Sequence, residues 1–98
     1  MLFHSTYKPK AGSTHEDQKK VLALWTNFTF PEGVEIKAHY SSAEGGGFVI
    51  FEAATAEAIY EVNSIWAGVY LDYKVVPIIE VDKAVELMNK AISMRESA

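Results

Sequence analysis

Ninety-eight residues, a net charge of −4 and no cysteine set the first bounds. Without thiols there are no disulfides, thiolate metal sites or cysteine nucleophiles, and an acidic chain with no basic cluster beyond Lys19-Lys20 is a poor nucleic-acid binder. A chain this short makes one domain, residues 1–98, yet 49% of it is apolar, with two Trp, five Tyr and five Phe. That exceeds what a small monomer hides and predicts a homo-oligomer.

The opening MLFHSTYKPK lacks the basic start and apolar core of a signal peptide, and no apolar run approaches the length of a membrane span. A cytoplasmic protein with no membrane partner is expected. Met1 to Tyr7 reads as a strand with Phe3, Ser5 and Tyr7 on one face and Leu2, His4 and Thr6 on the other. Ser13 and Glu16 have capping-box spacing, with Thr14 as the alternative cap, and a helix follows to about Asn27. Val21, Leu22, Trp25 and Phe28 recur at helical spacing on it. Val34 to Ala53 reads as a hairpin. Val34, Ile36, Ala38 and Tyr40 alternate with polar residues, and Gly45-Gly46-Gly47 supplies the positive φ angles of a reversal. The run Phe48-Val49-Ile50-Phe51 is apolar throughout, which predicts cover on both faces.

Thr55 caps a second helix, Ala56 to about Trp66, that Gly68 ends. Leu71 to Val81 reads as a long strand in which Pro77 implies an edge position, a bulge or a strand end. Asp82 then caps a last helix with Ala84, Val85, Met88, Ala91 and Ile92 as its apolar stripe, and residues 95–98 fray. The order β-α-β-β-α-β-α predicts an α+β ferredoxin-like sandwich with an extra C-terminal helix. Two helices cover only one sheet face. The other would turn Phe48, Ile50, Val76 and Ile78 to water, and a second subunit's sheet is the expected cover, giving a dimeric α/β barrel whose third helix braces the interface or covers the outer edge.

Residues 31–40 (Pro31-Glu32-Gly33-Val34-Glu35-Ile36-Lys37-Ala38-His39-Tyr40), then Gly46-Gly47-Phe48, Glu52-Ala53, Trp66 and Val75-Val76-Pro77-Ile78 resemble a small bacterial family designated domain of unknown function 3303. The resemblance spans about residues 1–85 and looks like membership of the dimeric α/β-barrel superfamily. It implies a fold and a homodimer but no assigned catalytic residue. Many members carry Arg-Trp-His where this chain reads His39-Tyr40-Ser41, so a site inferred from those relatives does not carry over. The superfamily includes haem-binding enzymes, cofactor-free monooxygenases, lactone isomerases and polyketide cyclases, so the resemblance selects no single activity.

His4, His39 and Glu52 are the sharpest candidates for chemistry. With His39 on the polar face of its strand, turned away from the helices, the three would converge in a cleft between sheet and partner, where a His beside a carboxylate suits general-base work. The bland reading is three ordinary surface or hydrogen-bonded side chains. No short His-x-His spacing supports a metal, and neither a metal nor a cofactor is expected. Tyr7, Tyr40, Tyr60, Tyr70 and Tyr73 with Trp25 and Trp66 could line a pocket for a planar ligand, although Trp25 and Phe28 sit on a stripe that reads as core and Trp66 divides between the two roles. The glycine run joins two strands and lacks the Lys and Ser/Thr of a phosphate loop. Two functions remain open. One is a binding module that holds a small apolar or aromatic ligand near His4, His39, Glu52, Trp66, Ile50 and Phe48. The other is a cofactor-independent cyclase, isomerase or monooxygenase with His4 or His39 as base and a Tyr as acid.

Overall fold

A computed structural model describes residues 1–67 and 71–98. The elements are β1 (Leu2–Pro9), α1 (His15–Asn27), β2 (Val34–Ser41), β3 (Gly47–Ala53), α2 (Ala56–Trp66), β4 (Leu71–Ile78) and α3 (Val81–Ser97). The strands form one antiparallel sheet in the order β2-β3-β1-β4. This is the ferredoxin-like α+β arrangement, with β1 and β3 central and β4 at an edge, where Pro77 costs no ladder bond to a further neighbour. α2 ends at Trp66 with Ala67 as its C-cap, and Gly68, expected to end it, falls outside the described residues.

Period-two alternation sorts the sheet into two faces. Phe3, Ser5 and Tyr7 of β1 lie beside Phe51, Val49 and Gly47 of β3 and Pro77, Val75 and Tyr73 of β4. That face meets the helices and holds the core of Phe3, Val49, Phe51 and Ala53. The opposite face carries His4, Ile50, Phe48, Val76 and Ile78, and nothing among the described residues buries its centre: Phe48, Ile50 and Ile78 stay half-buried and Val76 is exposed.

The hairpin departs from plain alternation. Ile36 pairs with Phe51 and Ala38 with Ile50, so Lys37 is an extra residue and a bulge. Beyond it every side chain of β2 changes face. Ala38 and Tyr40 turn to the open face, and His39 and Ser41 turn toward the helices opposite Val49 and Gly47. At the reversal only Gly45 of the three glycines takes positive φ, +94°. Gly46 is needed for a different reason. A Cβ there would run into the Tyr7 carbonyl oxygen and the Lys8 backbone.

The two cross-sheet helices are held unequally. Thr55 Oγ1 accepts from the Ala58 amide at 3.2 Å, and α2 buries Ala58 and Val62 against the sheet. In α1 the capping box is Thr14 with Asp17, displaced by one residue from the Ser13–Glu16 pair: Thr14 Oγ1 accepts from the Asp17 amide at 3.1 Å and Asp17 Oδ2 from the Thr14 amide at 3.0 Å. Ser13 instead donates its hydroxyl to the Lys10 carbonyl at 2.7 Å. Yet α1 buries no residue, and Trp25 is 43% exposed. It stands off the sheet and leaves a hollow beneath it.

The C-terminal segment also differs from the sequence reading. β4 stops at Ile78, and α3 starts at Val81 with Glu80 at the cap and no side-chain capping bond. Asp82 sits in the first turn, where its charge meets the positive end of the helix dipole. The apolar stripe does not pack on the core: α3 buries no residue, and the chain is elongated at 55 × 32 × 22 Å.

Candidate ligand-binding site

The hollow beneath α1 is a cavity of about 470 Å3, within the ~300–1,000 Å3 usual for small-molecule sites. Val21, Leu22 and Trp25 of α1 roof it. Ser5, Tyr7, Val49, Phe51 and Tyr73 of the sheet floor it, and Val62 and Trp66 of α2 wall one side. Ser41 and Gly45 close the hairpin side, and Asp17 and Gln18 from the first turns of α1 stand at the rim.

Each side chain arrives there for a local reason. Helical spacing of 21, 22 and 25 puts Val21, Leu22 and Trp25 on one stripe of α1. Strand alternation delivers Ser5 and Tyr7 to the helix side of β1 and Tyr73 to the matching side of β4. Trp66 closes α2 and meets the far end of α1, its ring 6.2 Å from Trp25 and 5.3 Å from Phe28. With Phe30 at 4.8 Å from Phe28, these rings seal one end of the cavity.

The bulge decides the chemistry at that end. It places His39 against Tyr7, with Nε2 2.8 Å from the phenol oxygen and the imidazole edge-on to Trp25 at 5.3 Å. With the ring proton on Nδ1 the phenol donates to His39; with it on Nε2 the phenol accepts. Either way the pair can pass a proton at the cavity wall.

Two more hydroxyls lie on the floor. Ser5 is 1% exposed and its Oγ makes no hydrogen bond of good geometry, although the Tyr73 phenol is its neighbour. Burial raises the Tyr73 phenol above its ordinary value, and the neighbouring Ser5 hydroxyl offsets this only in part. Tyr73 is therefore a neutral donor throughout the physiological range.

The chain matches the family model described as Domain of unknown function (DUF3303) over residues 1–92. It belongs to that family. No curated protein and no solved structure matches it.

In this DUF3303 chain the residues singled out from sequence divide between the two sides of the sheet. His4, Phe48, Ile50 and Glu52 share the open face, with the His4 ring 5.7 Å from Phe48 and Glu52 in an ion pair with the N-terminal amine at 3.6 Å. His39 and Trp66 are on the helix side. The expected convergence of His4, His39 and Glu52 is thus corrected by the Lys37 bulge, which carries His39 through the sheet. No group of three or more His, Asp or Glu able to hold a metal occurs among the described residues, and no helix among them is long and apolar enough to cross a membrane.

Of the aromatic set, Tyr7, Tyr73, Trp25 and Trp66 line the cavity, Tyr40 lies on the open face beside Phe48, and Tyr60 is exposed. Tyr70 falls outside the described residues. Sequence reading gave Trp25 to the core, and the structure puts it over a cavity instead. Ser5, expected only to share a face with Phe3 and Tyr7, lies on the cavity floor. Its signal was there: a lone hydroxyl between Phe3 and Tyr7 on the buried side of a central strand needs a partner.

Proposed function

We propose that this chain is a small-ligand-binding protein that holds an apolar or aromatic molecule in the cavity between α1 and the sheet. The observation that carries this is the stand-off of α1. Leu22, 65% exposed, and Trp25 lie on the apolar stripe of α1 yet bury little, above a cavity walled by Val49, Phe51 and Val62. A helix held only by its cap and a few rings gains buried area when an apolar body enters beneath it. The site thus lies within one subunit, not between the sheet and a partner.

The two tryptophans of the chain both line this cavity, so they report on it directly. Titration with the neutral dye phenyl-naphthylamine should give saturable, one-to-one quenching of tryptophan emission with energy transfer to the dye. Val21→Trp, which fills the space under α1, should weaken that binding by about tenfold or more. Absence of saturation, or equal uptake by the filled variant, removes this reading.

The Tyr7–His39 contact favours a second reading, an acid–base enzyme without cofactor, with His39 taking a proton and Tyr7 orienting or returning it. Tyr7→Phe separates the two: an enzyme loses about a hundredfold or more in turnover of a bound ligand while affinity holds, whereas a binding module has no turnover to lose.

The open sheet face belongs to the same proposal. Phe48, Ile50, Val76 and Ile78 on it are covered by a second copy of this chain, in the face-to-face pairing of a dimeric α/β barrel.

A further inference from the structure

We infer that the ligand beneath α1 is an uncharged aromatic molecule of roughly two or three rings carrying one hydrogen-bonding oxygen, and that Ser5 and Tyr73 on the cavity floor read that oxygen. This rests on the ligand-binding reading above and names the ligand class for the same site.

The Ser5 hydroxyl is the first support. It is 1% exposed, lies on the cavity floor and makes no hydrogen bond of good geometry, with the Tyr73 phenol as its neighbour, a condition that buried hydroxyls rarely keep. Tyr73 stands diagonally across the β1–β4 ladder from it, since Ser5 pairs with Val75 and Tyr7 with Tyr73. Tyr7 already spends its hydroxyl on His39. Ser5 and Tyr73 are therefore the floor groups with capacity to spare: even where one donates to the other, one of their two O–H donors stays available, and burial keeps the phenol protonated.

Charge is the second support. Asp17 is the single charged side chain among the described residues that line the cavity. No Lys, Arg or His among those residues faces an anion there. The positive end of α1, which could otherwise attract one, is already met by Glu16 and Asp17 in its first turn. A carboxylate or phosphate would enter an apolar space with no counter-charge and with Asp17 at the rim, a costly transfer. A ketone or phenol oxygen meets two matched hydroxyls instead, while Trp25, Trp66 and Phe51 supply flat apolar surface for the rings.

The test compares naphthalene, naphthol and naphthoate on the full chain by tryptophan quenching and calorimetry. Naphthol should bind about tenfold tighter than naphthalene, and naphthoate more weakly than either. Ser5→Ala and Tyr73→Phe should each bring naphthol down toward naphthalene while leaving naphthalene unchanged. Ser5→Ala removes a hydroxyl that makes no hydrogen bond of good geometry, so the variant folds at little cost and keeps the comparison valid. Equal binding of naphthol and naphthalene, unaffected by either substitution, overturns the head-group assignment and leaves the cavity reading standing. Tightest binding by naphthoate overturns the requirement for a neutral ligand. If no probe binds, the ligand-binding reading falls and takes this inference with it.

Discussion

Phe51→Ala should be the most damaging single truncation in the chain, costing about 3–5 kcal/mol. Phe51 is 1% exposed, sits on a central strand and stacks on Phe3 with ring centroids 5.7 Å apart. Few other side chains carry the fold: among the described residues the remaining buried apolar ones are Phe3, Val49, Ala53, Ala58, Val62 and Leu71, two of them only alanines. A domain of this size has ~5–15 kcal/mol in total, so losing one large ring takes about a fifth of it or more. The cavity decides where in that range the value falls. Phe51 floors the space under α1, and its removal enlarges a void that already exists. If α1 can settle inward, the cost moves to the low end; if its cap and the Trp25–Trp66 contact hold it off, the full cavity penalty applies. Urea melts of wild type and variant measure this directly. Tyr60→Ala, an exposed aromatic on α2, is the control and should stay within about 0.5 kcal/mol. A Phe51→Ala loss below about 1 kcal/mol would mean the core is not where this account puts it.

The existence of each strand, the Thr55 cap and the split βαβ order were legible in the sequence because each rests on local chemistry, whereas the Asp82 cap was not borne out, since α3 starts at Val81 after Glu80. Thr55 before Ala56, the alternation in β1 and the apolar run of β3 are all decided within a few residues of themselves. What escaped depends on partners far along the chain. Nothing in Val34 to Ser41 marks Lys37 as surplus, because the bulge exists only relative to the residues of β3 it must pair with. That one residue moved His39, one of the three side chains expected to converge, from the open face to Tyr7 and Trp25. The stripe on α1 is likewise a true amphipathic stripe, but periodicity reports only that a face is apolar. It does not report how closely the face approaches the sheet, and the difference between a core helix and a cavity roof is that distance. The stripe on α3 makes the same point more sharply: the pattern of a packed helix is present, and among the described residues it buries nothing.

Ile50→Asp should turn a dimer into a folded monomer. Ile50 lies at the centre of the open face, paired across β3 with His4 on one side and Ala38 on the other, and it covers no core residue of its own chain. The monomer therefore tolerates the change, and far-UV and near-UV dichroism should match wild type. A face-to-face pair does not tolerate it, because two carboxylates would be driven into an apolar interface without counter-charge. The edges of the sheet argue for this mode of pairing over strand addition. β2 carries Glu35 and Lys37 and β4 carries Asp72, Lys74 and Pro77, the charged and proline-bearing edges that discourage edge-to-edge contact. The apolar surface left over is the face itself, with Phe48, Ile50, Val76 and Ile78 on it. Sedimentation at about 50 μM, where a complex with Kd near 1 μM is mostly assembled, should give wild type twice the chain mass and Ile50→Asp the mass of one chain. A monomeric wild type sinks the homodimer. A dimer that survives Ile50→Asp shifts the contact to α3, whose Val81, Val85, Leu87, Met88, Ile92 and Met94 form the other exposed apolar surface of this chain.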